Sequence, residues 1–314
     1  MAITNYENGD RRPDMETIKK LAKALRVRTT DFLAVRNQNL NFSHGKFRKN
    51  SKLKLDQQEY IREAVEEYFS RFYEAIELLG GEVLPNPPEL HHLELKRDFD
   101  ANALTLRRSL CIPDHGPVGN LIGLLENNGI LVFMLDFQNE NFSGMNGSVN
   151  DRPYIVINKN MAPERIRTTI VHEIAHFMFH WPDDMDEKLA EKQATAIAGA
   201  FLFPKADAIR ELGVHRSAIT TDMLMVCKEY GISMSLLVFR AHVCNIFNDT
   251  VYESYYRRSE HKEGSYLTVI ELPTLFEQLV YRAINEDEIT IQKGAELLRM
   301  PYDRVAANCC IAEG

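Results

Sequence analysis

Apolar residues along this chain fall mostly at helical intervals, with one central block patterned like strands. Met15, Ile18, Leu21, Ala22 and Leu25 recur at helix spacing behind Asp14, which is placed to cap the start. Gly9 and Pro13 mark the loop before them, and a second short helix is predicted from Thr30 through Phe32 and Leu33. The polar, basic run "NQNLNFSHGKFRKNSKLKL" reads as a linker with one short strand at Lys46–Lys49. A long helix is predicted over Asp56–Leu79, with Ile61, Val65, Tyr68, Phe69, Phe72, Ile76 and Leu79 on one stripe, and "GGEVLPNPPEL" closes it. A helix over Pro117–Asn128 leads into the apolar strand "ILVFMLD". The segment "FSGMNGSVNDRPYIVIN" then reads as a hairpin, turning over Asn150–Pro153 into a strand at Tyr154–Asn158. A helix starts near Pro163 and stops near Pro182, and another spans Glu187–Phe203 before Pro204. The remainder, to about 245 and again from 272 to 308, is mostly helical. The fold class is therefore α+β, mainly helical.

At 314 residues the chain is long enough for two or three domains. With 45% hydrophobic and 26% charged residues, the composition is that of a soluble globular protein. No signal peptide and no apolar run long enough to span a membrane is visible. The five cysteines, Cys111, Cys227, Cys244, Cys309 and Cys310, include no CxxC pair, which argues against a disulfide framework or a cysteine zinc site and for a reducing cytoplasm. The net charge of −8 is uneven: residues 1–60 carry +6 and the rest −14. A basic head on an acidic body suits contact with a polyanion at the head alone, although a solvated basic linker has the same charge.

The chemistry concentrates in "TIVHEIAHFMFHWP". His172 and His176 are four apart, so on a helix they lie about 40° off register and reach a common ion. Glu173 points beside them, where it can take a proton from a metal-bound water, and the natural metal is Zn²⁺. The bland reading is a core helix with histidines at its rim; a carboxylate set between them on an apolar helix counts against it. The third ligand is expected at Glu191, which an antiparallel helix pair would bring back toward His176, with Ala194, Ala198 and Gly199 permitting close approach. Glu187 and His180 are the rivals. His180 is four beyond His176, where a continuing helix drifts further from the ion, and it reads as a supporting histidine.

Two resemblances follow. "ITNYENGDRRPDMETIKKLAKALRV" resembles the back half of a Cro/repressor-type (XRE) helix-turn-helix domain, beginning inside the recognition helix, with two helices of the full domain expected before it. "GPVGNLIGLLENNGILVFMLD", "NFSGMNGSVNDRPYIVINKNMAPERIRTTIVHEIAHFMFH", "AEKQATAIAGAFLFP" and "YGISMSLLVFRAHVCNIFNDTVYESYYRR" resemble the ImmA/IrrE family of bacterial zinc metallopeptidases. That likeness implies a zincin-like core, a small sheet plus the HExxH helix, with His172, His176 and Glu191 as zinc ligands and Glu173 as general base. Thr195 stands where the family often has Asn or Asp. The implied organisation is a partial helix-turn-helix segment over 1–36, a linker over 37–55, a peptidase domain over 56–260 with its metal core at about 130–205, and a helical module over 261–314. In that last module "ITIQKGAELLRMPYDRV" has a helix–turn–helix rhythm, but Glu288 and Glu296 leave no basic face, so it reads as packing.

The resemblance further implies regulatory proteolysis in the cytoplasm, with a repressor-like DNA-binding protein as substrate. An extended substrate would pair with the strand Tyr154–Asn158, and Tyr154 and His180 are candidates for holding the oxyanion. In the N-terminal segment Asn5 would end the recognition helix, while Arg11, Arg12 and Lys19 could contact phosphates. DNA binding needs the complete N-terminal domain, so this form is expected to bind weakly. The competing class is a DNA-binding regulator whose peptidase-like part is a sensor or dimerisation body, and a toxin–antitoxin component is a third reading.

Overall fold

The computed structural model describes residues 2–7, 11–25, 29, 40–45, 53–258, 267 and 271–309. The helix predicted from Thr30 and the strand predicted at Lys46–Lys49 lie outside the described residues. The chain forms two compact units, Met1–Asn39 and Leu40–Gly314. In the first, α1 (Ala2–Glu7) precedes α2 (Met15–Leu25). The predicted cap forms, with the Thr17 amide donating to Asp14 Oδ1 at 2.8 Å. Ile18 and Ala22 are buried, whereas Asn5, Arg11, Arg12 and Lys19 are all exposed.

The second unit runs β1 (Phe42–His44), α3 (Leu55–Leu78), β2 (Leu93–Glu94), α4 (Phe99–Ser109), α5 (Leu121–Asn127), β3 (Leu131–Leu135), β4 (Gly144–Val149) and β5 (Arg152–Asn158). It continues with α6 (Pro163–Met178), β6 (Phe179–His180), α7 (Glu187–Leu202), α8 (Lys205–Leu212), α9 (Asp222–Tyr230), α10 (Met234–Val243), α11 (Asp249–Arg258), α12 (Leu275–Asn285), α13 (Ile291–Leu298) and α14 (Tyr302–Cys309). The fold is mainly helical around a small mixed sheet. Helix α5 begins later than the predicted Pro117 because Asn120 caps it, its side chain accepting from the Gly123 amide at 3.0 Å.

The four-stranded sheet has the order β1-β4-β5-β3, with β4 antiparallel to β1 and β5, and β3 parallel to β5. The β4–β5 turn carries Asn150 and Asp151 at φ 49° and 61°, the paired left-handed conformation that two-residue hairpins favour. Both sheet faces are covered. Ile155 and Ile157 turn to the core around α6, while Tyr154 and Val156 turn to a second core built on α3. The C-terminal helices complete that second core: Phe276, Leu279, Val280, Leu297 and Val305 cluster with Ile61, Phe69 and Phe72 of α3.

The strand expected to receive substrate is therefore interior. β5 is bonded on both edges, to β3 and to β4, and has no edge left for a peptide. Its length of unbroken apolar residues is the pattern of a strand buried on both faces rather than one at a rim.

One buried carboxyl ties the C-terminal helices to the core. Glu126 on α5 accepts from the amides of Thr274 and Leu275 at 3.1 and 3.2 Å, at the start of α12. Burial outweighs these hydrogen bonds and pushes its carboxyl up to about 7. A raised pKa means the folded state binds the proton more tightly, so this stabilisation is full below about pH 4.5 and is lost as pH rises through about 7. Glu126→Gln, which never ionises, should be more stable than wild type at pH 8 by up to about 3 kcal/mol and should match it near pH 4.5. Urea unfolding at the two pH values reads the difference; equal gaps at both would refute it.

Candidate metal centre

Helix α6 is built to present one polar face above an apolar sheet. Pro163 occupies its first turn, and Ile166, Ile170, Val171, Ile174 and Ala175 are buried in the core beneath it. It approaches the sheet closely at Gly144, where a Cβ would stand 2.9 Å from the Val156 carbonyl oxygen and 3.0 Å from Thr169 Cγ2. Arg167, also buried, donates to the carbonyls of Val118 and Gly119 at 2.7 and 3.0 Å and pairs with Glu271. These contacts fix the helix along its length and so fix the histidines it carries.

Helix α7 returns alongside α6 and brings Glu191 to the pair. His172 Nε2 and His176 Nε2 lie 3.1 Å apart, and each is 3.2 Å from an oxygen of Glu191. Among the described residues these three form the group of side chains able to hold a metal ion. Ala194 and Ala198 are fully buried along α7, as expected. Gly199 does not serve the α6 contact: a Cβ there would meet Arg240 of α10 at 3.4 Å.

The donor set fits a divalent ion. Ligands about 2.0–2.1 Å from a tetrahedral ion would stand about 3.3–3.4 Å from one another, close to the separations observed. Protonation agrees. Thr195 Oγ1 donates to the Glu191 carbonyl at 2.8 Å and lies 3.2 Å from His172 Nδ1. Since that hydroxyl hydrogen is used, Oγ1 accepts from Nδ1–H, and His172 Nε2 is left with its lone pair facing the cluster. Two imidazole nitrogens and a carboxylate converge at this distance as donors around one cation would. His172 is buried, whereas His176 and Glu191 are partly open, which leaves one side of the group accessible to a further ligand.

Glu173 stands apart from these three donors, only 8% exposed, with Oε2 accepting from Asn146 Nδ2 of β4 at 2.7 Å. Asn146 escaped the sequence reading. Its signal was strand alternation, which sets Gly144, Asn146 and Ser148 on the sheet face opposite Met145 and Val149 and places an amide under an apolar helix. Trp181 was also missed: its indole N–H donates to the Ala175 carbonyl at 3.1 Å, and its ring lies 5.4 Å from that of His176.

Neither oxyanion candidate sits with the group. Tyr154 is fully buried on the opposite face of the sheet, and its hydroxyl lies 2.6 Å from His44 Nδ1 while His44 Nε2 lies 3.0 Å from Glu66. The alternation along β5 that puts Ile155 under α6 necessarily turns Tyr154 away from it. His180 is not one turn beyond His176, because α6 ends at Met178. Phe179 turns extended (φ −86°, ψ 146°), and the exposed His180 pairs with Glu94 in the short parallel ribbon β2–β6. Glu187 opens α7 and is also outside the group of donor atoms.

No curated protein matches the chain. Two family models do. Residues 125–242, which hold α6, α7 and all of the donor atoms, match the IrrE N-terminal-like domain of the Peptidase_M78 family, and residues 1–32 match a helix-turn-helix family. The chain thus joins a segment similar to a helix-turn-helix family to a region similar to the IrrE N-terminal-like domain.

Proposed function

We propose that this chain is a cytoplasmic, zinc-dependent endopeptidase that cuts a regulatory protein, a helix-turn-helix repressor, and so relieves repression. The observation that carries the reading is the convergence of His172 Nε2, His176 Nε2 and the Glu191 carboxylate beside a separate, hydrogen-bonded Glu173. Two histidines and a glutamate with one open side is the donor set of hydrolytic zinc. When bound, the metal supplies Lewis acidity that activates a water and polarises the scissile carbonyl. Glu173 takes the proton of the attacking water and passes it to the leaving nitrogen. Thr195 holds His172 in the tautomer that faces the ion, and Trp181 packs beside the ring of His176. An extended stretch of the target adds to the outer edge of β1, since β4 and β5 are each bonded on both sides. That mode needs an unfolded or mobile stretch, so cleavage falls in an exposed linker of the partner and spares compact domains. Co-expression with a repressor encoded alongside, read on a gel with and without chelator, tests this directly; an intact partner in both lanes would reject the repressor as substrate.

A second reading, DNA binding through the N-terminal unit, is favoured by the helix-turn-helix match and by the exposure of Asn5, Arg11, Arg12 and Lys19. Three phosphate contacts from Arg11, Arg12 and Lys19 would give weak binding whose log–log salt slope is about −2.7. Nanomolar, sequence-specific binding at physiological salt, measured by fluorescence anisotropy, would instead make transcriptional regulation the primary role. Among the described residues no helix is long and apolar enough to cross a membrane.

A further inference from the structure

We infer that Asn146 is the positioning residue for Glu173, holding the general base from the sheet while the helix that carries it holds the metal ligands. The inference rests on the peptidase reading above for its catalytic meaning, but the contact itself is independent of it. Asn146 Nδ2 donates to Glu173 Oε2 at 2.7 Å, in a setting where Glu173 has lost most of its water. A hydrogen bond to a nearly buried carboxylate is stronger than a neutral one and selects one rotamer of a flexible side chain. It occupies Oε2 and leaves Oε1 for the proton.

Asn146 has little freedom to drift from this position. Its backbone is in register with Ile155 of β5, and on the other edge the Gly45 amide donates to the Asn146 carbonyl at 2.8 Å. Gly45 is matched to that contact, since a Cβ there would stand 2.3 Å from the Asn146 carbonyl oxygen and 3.1 Å from its Oδ1. Gly45 directly follows β1, and both lie outside the segment that matches the peptidase family. The support for the base thus comes partly from chain that precedes the matched domain.

The test uses full-length, metal-loaded protein with Asn146→Ala and Asn146→Leu. Both should lower kcat for the cleaved partner roughly 10- to 100-fold, with KM within about threefold and with metal content and unfolding midpoint near wild type. Leu has nearly the shape of Asn but no N–H to donate, so a role in packing alone predicts that Asn146→Leu keeps wild-type kcat; that outcome, or unchanged kcat in both variants, would overturn the inference. A second measurement does not depend on turnover. In ¹⁵N-labelled protein the Asn146 side-chain amide resonance, assigned by its loss in Asn146→Leu, should sit downfield and move on Glu173→Ala. No movement would overturn the contact. If wild type cuts no partner, the peptidase reading fails while this resonance still decides whether Asn146 holds Glu173.

Discussion

Glu173→Gln is expected to keep the fold and the metal and to lose cleavage by about 10²–10⁴-fold, the usual contribution of a positioned general base. Glutamine is nearly isosteric, and its carbonyl oxygen can still accept from Asn146 Nδ2, the bond that spans 2.7 Å in the wild type. The apolar floor under α6 is untouched, and Glu173 is not one of the three donor residues, so neither stability nor stoichiometry should move appreciably. What disappears is the ability to take a proton from the attacking water. The measurement is the initial rate of partner cleavage on a gel alongside metal content by mass spectrometry. Equal cutting by wild type and Glu173→Gln would sink the mechanism; loss of metal in the variant would instead make Glu173 a ligand.

Removal of a ligand should act at the other end of the mechanism. Purified protein is expected to hold about one zinc ion per chain, and His172→Ala and Glu191→Ala should each abolish stoichiometric binding together with activity. Each donor is one of three that stand 3.1–3.2 Å from their neighbours, so losing one leaves two ligands and an opening in the shell. Because metal binds the folded state and not the unfolded one, stripping it also destabilises the protein. At free zinc near 1,000 times the dissociation constant the linkage is about 4 kcal/mol, which should appear as a drop in Tm of about 5–10 °C with chelator. The ligand variants, already without metal, should show no such chelator effect. Full zinc retention by Glu191→Ala would remove Glu191 from the ligand set.

Local pattern alone carried much of this architecture. The i, i+4 spacing of His172 and His176 specified a shared helical face, Pro163 the start of that helix, and Asp14 its own cap, because each depends on residues within one or two turns. The Asn150–Asp151 hairpin was legible for the same reason: a two-residue turn with both residues left-handed selects this chemistry. Glu191 was within reach because a short loop between two antiparallel helices leaves few ways to return to the pair. Helix α4 and the ribbon β2–β6 were not seen, as short elements without strong periodicity are decided by their neighbours. Tertiary structure alone determined that α6 stops at Met178, since only pairing with β2 draws Phe179 and His180 into extended conformation. It alone made β5 an interior strand, because the hairpin supplies only β4, and the other edge of β5 is filled by β3, which precedes the hairpin and pairs parallel. Asn146 shows the limit most clearly. Nothing near it in the chain marks it as part of a site, and its task exists only because β4 runs beneath α6 and meets Glu173, 27 residues further on, at hydrogen-bond distance.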